Sequence, residues 1–269
     1  ISGEFIDNSG VNVESVKIKL DNEDITKVAE ITETGFSYEI KEDLEDGEHR
    51  VEVSVSDSLG NNRVKEWKFR VGKINHYYGQ LHSHTNISDG TGSLEDAYKW
   101  ARDEGKADYF AVTDHSNWFD NDTEANINDG SMSKAWTNAQ NISDKYNDDG
   151  NFVAMYGYEM TWSGSTGGWG HINTFNTPGF ETRKNSDMNL KNYYNTISQL
   201  PESVSQLNHP GKTFGDFADF GFYSEGADKV VNLIEVGNGE GPVRGSGYFP
   251  SYEYYTRALD KGWHVAPTN

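Results

Sequence analysis

The first part of the chain alternates apolar and polar positions in short segments between turn-forming clusters. Such period-two alternation predicts the strands of an antiparallel β-sandwich. Val51 and Val53 should face its core, while Glu52 faces solvent. We therefore predict a separate all-β domain over residues 1–73. Its expected strands are Val11 to Leu20, Phe36 to Ile40, His49 to Val55 and Val64 to Val71.

After Lys73 the pattern changes to short apolar strands that alternate with helices, which predicts an α/β domain with parallel pairing over residues 75–269. Ser93 is a good N-cap for a helix from Leu94 to Glu104, and a second helix is expected over Ser133 to Tyr146. Seven strands are expected, namely Tyr77 to His84, Ala107 to Thr113, Phe152 to Tyr158, His171 to Phe175, Val204 to Leu207, Val230 to Val236 and Trp263 to Ala266.

Composition narrows the chemistry of this second domain. The 269 residues include no cysteine, so a bound metal would need imidazole and carboxylate ligands. A formal net charge of -20, from 43 acidic against 23 basic residues, disfavours duplex nucleic acid as a partner. No apolar run approaches the roughly 20 residues of a transmembrane helix. We therefore expect no transmembrane segment.

Histidines and carboxylates recur where predicted strands meet loops. In parallel α/β barrels, the loops at the carboxyl ends of the strands converge on one site. Histidine and carboxylate ligands at such a place favour a metal site over structural histidines. The residues in this pattern are His82, His84, Asp89, His115, Glu159, His171 and His209.

The same segments resemble successive motifs of the PHP (polymerase and histidinol phosphatase) family. They read "GQLHSHTNISDGTG", "VTDHSNWF", "YGYEMTW", "GHINTFN", "NHPG" and "IEVGNG", in family order. The resemblance implies a distorted seven-stranded (β/α) barrel, similar to a TIM barrel. It also implies a metal-dependent phosphoesterase with two or three zinc, manganese or iron ions, whose nucleophile is a hydroxide shared between metals.

Carried over to this sequence, the resemblance assigns the ligands to three metals. The first would be held by His82, His84 and Glu159. The second would be held by Glu159, His171 and His209, and the third by Asp89 and His115. A phosphate ester would also need positive charge in an acidic protein, for which Arg183, Lys212 and Arg244 are candidates.

Both ends of the sequence suggest a piece of a longer protein. The family's final Asp-x-His motif is expected just beyond Asn269, so we expect the barrel to be truncated after its last strand. The first and third metal sites would then each lack one ligand. Activity of the 269-residue chain is accordingly expected to be weak or absent.

The segment over residues 1–73 resembles bacterial Ig-like modules, as in "DGEHRVEVSVSDSLGN". That resemblance implies an extracellular or cell-surface protein that is attached through flanking domains. The PHP resemblance implies a small phosphate ester as its substrate. His49 is expected to be an exposed cross-strand residue of this module. Two alternatives stay open for the barrel: a metal-binding surface or interaction protein that has lost catalysis, and a metal-dependent amidase or esterase.

Overall fold

The computed structural model describes residues 1–72, 75–238 and 252–268. The chain divides into two compact units, Ile1–His76 (unit 1) and Tyr77–Asn269 (unit 2). The division lies close to the change in sequence pattern at Lys73. In the described ranges, no helix has both the length and the apolar character needed to cross a membrane.

Unit 1 consists of two antiparallel sheets. One has the strand order β1-β5-β4 and the other β3-β2-β6-β7. The strands are β1 (Ser2–Glu4), β2 (Val11–Leu20), β3 (Glu23–Asp24), β4 (Glu30–Thr32), β5 (Gly35–Ser37), β6 (Gly47–Asp57) and β7 (Asn62–Val71). The bounds of β2 are those predicted from the sequence, while β5 ends three residues before the predicted Ile40.

Alternation along the strands builds the core of unit 1. Val51 and Val53 on β6 are buried, with more exposed polar residues between them. Phe36 of one sheet and Trp67 of the other pack with their ring centroids 6.5 Å apart. The two sheets therefore share one apolar core, since both contribute side chains to it.

His49 is buried, so the expectation that it is exposed was wrong. It lies on the same face of β6 as Val51, because residues two apart on a strand point the same way. Its Nδ1 is 2.6 Å from Asp21 Oδ2, and its Nε2 is 2.8 Å from the Glu45 carbonyl oxygen. Only the protonated ring can donate to both acceptors.

We predict that the pKa of His49 lies above the usual ~6.5. The Asp21 carboxylate is the main cause, followed by the Glu45 carbonyl. Because the folded-state pKa is raised, the resulting stabilisation is complete below about pH 6.5 and is lost as the pH rises through the folded-state pKa. An NMR titration of the His49 ring measures this pKa. Asp21→Asn should lower it, and an unchanged value in that variant would contradict the assignment.

Unit 2 combines two sheets with short helices. Its strands are β8 (Gly79–Gln80), β9 (Tyr109–Val112), β10 (Val153–Tyr156), β11 (Tyr158–Thr161), β12 (His171–Phe175), β13 (Val204–Asn208), β14 (Val231–Glu235) and β15 (Ala266–Thr268). Its helices are α1 (Leu94–Lys99), α2 (Lys134–Tyr146), α3 (Leu190–Ile197), α4 (Phe217–Phe220), α5 (Glu225–Asp228) and α6 (Tyr252–Asp260). Ser93 and Ser133 cap α1 and α2, and a π-helical segment continues α1 to Glu104.

The strand orders of unit 2 are β10-β9-β8 and β11-β12-β13-β14-β15. A parallel bridge between His115 and Glu159 links the two sheets. β10 and β11 follow each other across Gly157, where a side chain would lie 2.5 Å from the Thr174 carbonyl oxygen. Within the described residues no strand pairing joins β15 back to β8. The closed seven-stranded barrel therefore stays a prediction.

The expectation of parallel pairing throughout unit 2 was wrong for β12. This strand runs antiparallel to both β11 and β13, whereas β8 to β10 and β13 to β15 pair in parallel. The reason is the short connection over residues 162–170, which can close a hairpin but is too short for the crossover that parallel strands need.

Among the predicted strands of unit 2, the first and the last differ most in extent from the structure. β8 ends at Gln80, so His82 and His84 lie beyond it, although the Ser83 carbonyl still accepts a hydrogen bond from Thr113 N. The last strand begins at Ala266 instead of Trp263, because a turn at Gly262 precedes it. His264 consequently lies outside the strand, where its side chain is exposed and its Nδ1 is 2.7 Å from Asp228 Oδ2.

Candidate metal centre

All seven predicted ligand residues line one cavity of about 300 Å³ in unit 2. Most follow the carboxyl end of a strand, but His171 is the first residue of β12. Because β12 runs antiparallel to its neighbours, its beginning lies at the same edge of the sheet as the end of β13. The exceptional strand direction thus brings His171 to the other ligands.

Glu159 is the centre of this cluster and is completely buried. Its Oε1 lies 3.3 Å from His82 Nε2, 3.2 Å from His171 Nδ1 and 3.5 Å from His209 Nε2. Its Oε2 lies 3.3 Å from His84 Nε2. One carboxylate therefore faces four imidazole nitrogens from three separate parts of the chain.

These distances fit metal coordination better than hydrogen bonding. A charged N–H···O hydrogen bond is about 2.7–2.9 Å long. Neighbouring ligand atoms of a tetrahedral zinc ion, with bonds of about 2.0–2.1 Å, lie about 3.3 Å apart. In addition, His84 Nε2 and His171 Nδ1 are buried and make no hydrogen bond to the residues that the structure describes. The cluster thus has the spacing and the uncommitted donor atoms that a metal ion requires.

Two further carboxylates orient the first pair of histidines. His84 Nδ1 is 2.6 Å from Asp89 Oδ1, and His82 Nδ1 is 3.1 Å from Glu235 Oε1. A proton on each Nδ1 satisfies these contacts and leaves both Nε2 lone pairs directed towards Glu159. His82, His84 and Glu159 can therefore hold one metal ion with their tautomers fixed.

A second possible metal site consists of Glu159, His171 and His209. Asn208 Nδ2 donates to Glu159 Oε1 at 2.8 Å and to Asn173 Oδ1 at 2.8 Å. These amide contacts fix the Glu159 carboxylate, so its remaining lone pairs face the histidines. Neighbouring strands β11, β12 and β13 supply the whole arrangement.

A third possible site involves His84, Asp89 and His115. His115 Nε2 is 3.5 Å from Asp89 Oδ2, again near the spacing of two metal ligands. His115 Nδ1 is 2.6 Å from Glu159 Oε2 and 2.7 Å from Thr161 Oγ1, which orients the ring. His84 joins the two residues predicted for this site, but its Nδ1 already contacts Asp89.

Glu235 is the residue that the sequence analysis missed. It is the last residue of β14, is almost completely buried, and forms a possible ligand group with His82 and His209. Its Oε2 accepts a hydrogen bond from the backbone N–H of His209 at 2.9 Å. The motif "IEVGNG" contained this signal, since Glu235 also stands at a strand end like the other ligands.

Burial and the neighbouring charges have opposite effects on the pKa values of His82 and Glu159. Burial disfavours a charged His82, but Glu159 and Glu235 outweigh it and raise the pKa of His82 to about 10. Burial likewise favours a neutral Glu159, yet His82 and the other nearby histidines hold the pKa of Glu159 well below its usual range. A proton on His82 therefore competes with a metal ion for the same position.

We predict that metal affinity increases with pH below about 10, because His82 must lose a proton before its Nε2 can bind a metal. This proton alone gives about a 10-fold change in Kd per pH unit, hence about 100-fold between pH 6 and pH 8. Zinc titration against a competing chelator at both pH values measures the change. Calorimetry in buffers of different ionisation enthalpy should also show proton release, and an affinity independent of pH would contradict the prediction.

Two of the three basic residues proposed for phosphate, Arg183 and Lys212, are not among the residues of the ligand cluster. Arg183 and Lys212 line a second cavity of about 490 Å³, which shares His115, His171 and Phe214 with the first. Arg244 lies outside the described residues.

Compared with protein-family models, curated proteins and solved structures, the chain has no match. The resemblances to PHP domains and Ig-like modules therefore stay predictions from sequence motifs. Within the described residues, the geometry of unit 2 by itself shows four overlapping groups of side chains that could hold a metal ion, and two of them contain Glu159.

Proposed function

We propose that this chain is a metal-dependent hydrolase of the PHP type and that it cleaves phosphate esters. The observation that carries the proposal is the position of Glu159, whose two carboxylate oxygens face four histidine nitrogens at 3.2–3.5 Å. A carboxylate in this position suits adjacent metal ions that share one ligand. The order of the sequence motifs supports the choice of family and of phosphate esters.

Three groups of side chains would hold the metals. They are His82, His84 and Glu159; Glu159, His171 and His209; and Asp89 with His115. The absence of cysteine and the mixture of imidazole and carboxylate suit zinc, manganese or iron. Such ions, when bound, neutralise phosphoryl oxygens and lower the pKa of coordinated water.

The protein's own side chains orient the metal ligands and exclude water from the centre. Glu235 and Asp89 select the tautomers of His82 and His84, and Asn208 holds the Glu159 carboxylate. Phe214 packs against the rings of His171 and His209, with centroids 5.0 and 4.6 Å away. This aromatic wall limits water on one side of the centre and so strengthens the local electrostatic interactions.

Unit 1 supports the remaining part of the proposal. Its two facing antiparallel sheets are compatible with an Ig-like module, a kind of domain that spaces or attaches catalytic domains. We place the protein at the cell surface or outside the cell on this basis, with a small phosphate ester as its substrate.

Metal analysis and a substrate panel test the proposed function. The purified protein should bind two or three equivalents of zinc or manganese and, with them, hydrolyse phosphomonoesters such as phenyl phosphate at a low rate. Chelator treatment should abolish this activity, and added metal should restore it. Hydrolysis of amides or carboxylic esters alone would show that the protein is a metal-dependent amidase or esterase that uses the same centre. Metal binding without hydrolysis of any panel member would instead favour a metal-binding interaction protein.

A further inference from the structure

A second cavity beside the metal centre is lined by Arg183 and Lys212. We infer that this cavity binds a second anionic group of the substrate, separate from the phosphoryl group at the metals. The inference rests on the proposed function, since it takes the metal centre as the place of hydrolysis. It assigns the substrate to small phosphomonoesters that carry an additional carboxylate or phosphate.

The charged residues that line this cavity favour an anion. The chain has 43 acidic and 23 basic residues, yet no Asp or Glu is among the described residues that line this cavity. Within the described residues, neither Arg183 nor Lys212 forms an ion pair with a carboxylate, although acidic residues are nearly twice as common as basic ones. Two basic residues that have no acidic partner within the described part of the chain, in a protein of net charge -20, favour an anion in this cavity.

The position of the cavity is the second argument. It shares His115, His171 and Phe214 with the cavity of the metal centre, so one small molecule can reach both. Its volume of about 490 Å³ is within the usual range for small-ligand sites. A substrate whose phosphoryl group lies at the metals would therefore extend its remaining part towards Arg183 and Lys212.

One hydrogen bond links Arg183 to the sheet that carries Glu159. Its Nη1 donates to the carbonyl oxygen of Thr161 at 3.4 Å, and Thr161 lies on β11 two residues after Glu159. Most of the guanidinium N–H groups stay available, and their planar arrangement suits a carboxylate or phosphate. An anion bound there is thus held at a defined distance from the hydrolytic site.

Lys212 belongs to a short closed loop. Gly211 and Gly215 exchange two backbone hydrogen bonds, of 2.9 and 2.8 Å, and the three residues between them project from the loop. Gly215 has φ +122°, and a side chain there would lie 2.4 Å from the Gly168 carbonyl oxygen. Because only glycine permits this close approach, the loop that carries Lys212 packs directly against the β11–β12 connection.

Binding of non-hydrolysable phosphonates to the zinc-loaded protein tests this inference without reference to turnover. The probes are phenylphosphonate, 3-carboxyphenylphosphonate and benzene-1,3-diphosphonate, with affinities measured by calorimetry. At least one of the two doubly anionic probes should bind about 10-fold more tightly than phenylphosphonate. The comparison between them shows whether a carboxylate or a phosphate-like group is preferred.

Two variants locate the second anion. Arg183→Gln and Lys212→Gln should each remove most of the preference for the doubly anionic probe and leave phenylphosphonate binding unchanged. Lys191→Gln, an exposed residue of α3 outside both cavities, should retain the full preference.

Equal affinity for all three probes would overturn the inference. So would the same loss of affinity for all three probes in both Arg183→Gln and Lys212→Gln. Failure of the zinc-loaded protein to bind any probe would also overturn it. The proposed function is judged separately. A protein that prefers the doubly anionic probe but hydrolyses no phosphomonoester would overturn the hydrolase assignment and retain the anion site.

Discussion

Glu159→Gln should remove tight metal binding from the candidate centre. The substitution keeps the size of the side chain but removes the charge from the one carboxylate shared by the first two ligand groups. Loss of an outer-sphere partner alone costs about 10–100-fold in metal affinity, so the loss of a shared ligand should cost about 100-fold or more. Phosphatase activity should fall to background with it. Metal content after dialysis and competition with a chelator measure the effect.

The fold itself should survive this substitution, because the histidines can become neutral once their carboxylate partner is gone. Circular dichroism tests that point. Glu181→Gln is a matched control, since Glu181 is also a buried glutamate of unit 2 but does not line the cavity of the metal centre. Full metal content in Glu159→Gln, or a similar loss in Glu181→Gln, would show that Glu159 is not the shared ligand.

Glu235→Gln is expected to weaken metal binding by about 10–100-fold through its contacts with other residues. Glu235 Oε1 faces His82 Nδ1, and Oε2 accepts the backbone N–H of His209. A glutamine side chain has only one carbonyl oxygen, so its NH₂ group must face one of these two donors. Either His82 loses its tautomer control or the His209 backbone loses its acceptor, and the two histidines serve different metal sites.

Asn238→Ala is the comparison for this prediction. Asn238 Nδ2 donates to Glu235 Oε1 at 3.0 Å, but the Glu235 contacts with His82 and His209 do not depend on it. Metal affinity should therefore change by less than about 3-fold, the loss of one polar contact. Zinc titrations of the two variants side by side distinguish the roles. If Asn238→Ala weakens binding as much as Glu235→Gln, the effect comes from general disruption of the cavity.

The local sequence pattern was sufficient to predict a strand such as β2, which has one buried and one exposed face. β2 has strictly placed apolar positions over its buried half, and its predicted bounds agree with the structure. Helix α2 was equally readable, because Ser133 accepts a hydrogen bond from Trp136 N as an N-cap should. The alternation of apolar and polar positions along β6 also places His49 on the buried face, whereas His49 was expected to be exposed.

Strand direction could not be read in the same way. The sequence His171–Phe175 is compatible with either direction, and the antiparallel pairing depends on how the chain turns over residues 162–170. Glu235 was missed for a related reason. Its role depends on contacts with His82 and His209 that arise only when distant strand ends meet. Contacts between such distant residues have no fixed spacing in the sequence by which they could be predicted.

The β11–β12 hairpin also has a consequence for the order in which the centre assembles. Glu159 and His171 come together by closing one short connection, whereas the contact of His82 with Glu235 spans 153 positions. Closing the longer loop costs about 2 kcal/mol more in chain entropy, and contacts between near neighbours form earlier in folding. The half of the centre around His171 should thus form first. The contact between His82 and Glu235, which orients the His82 ring for the first metal site, should form later, when β14 joins the sheet.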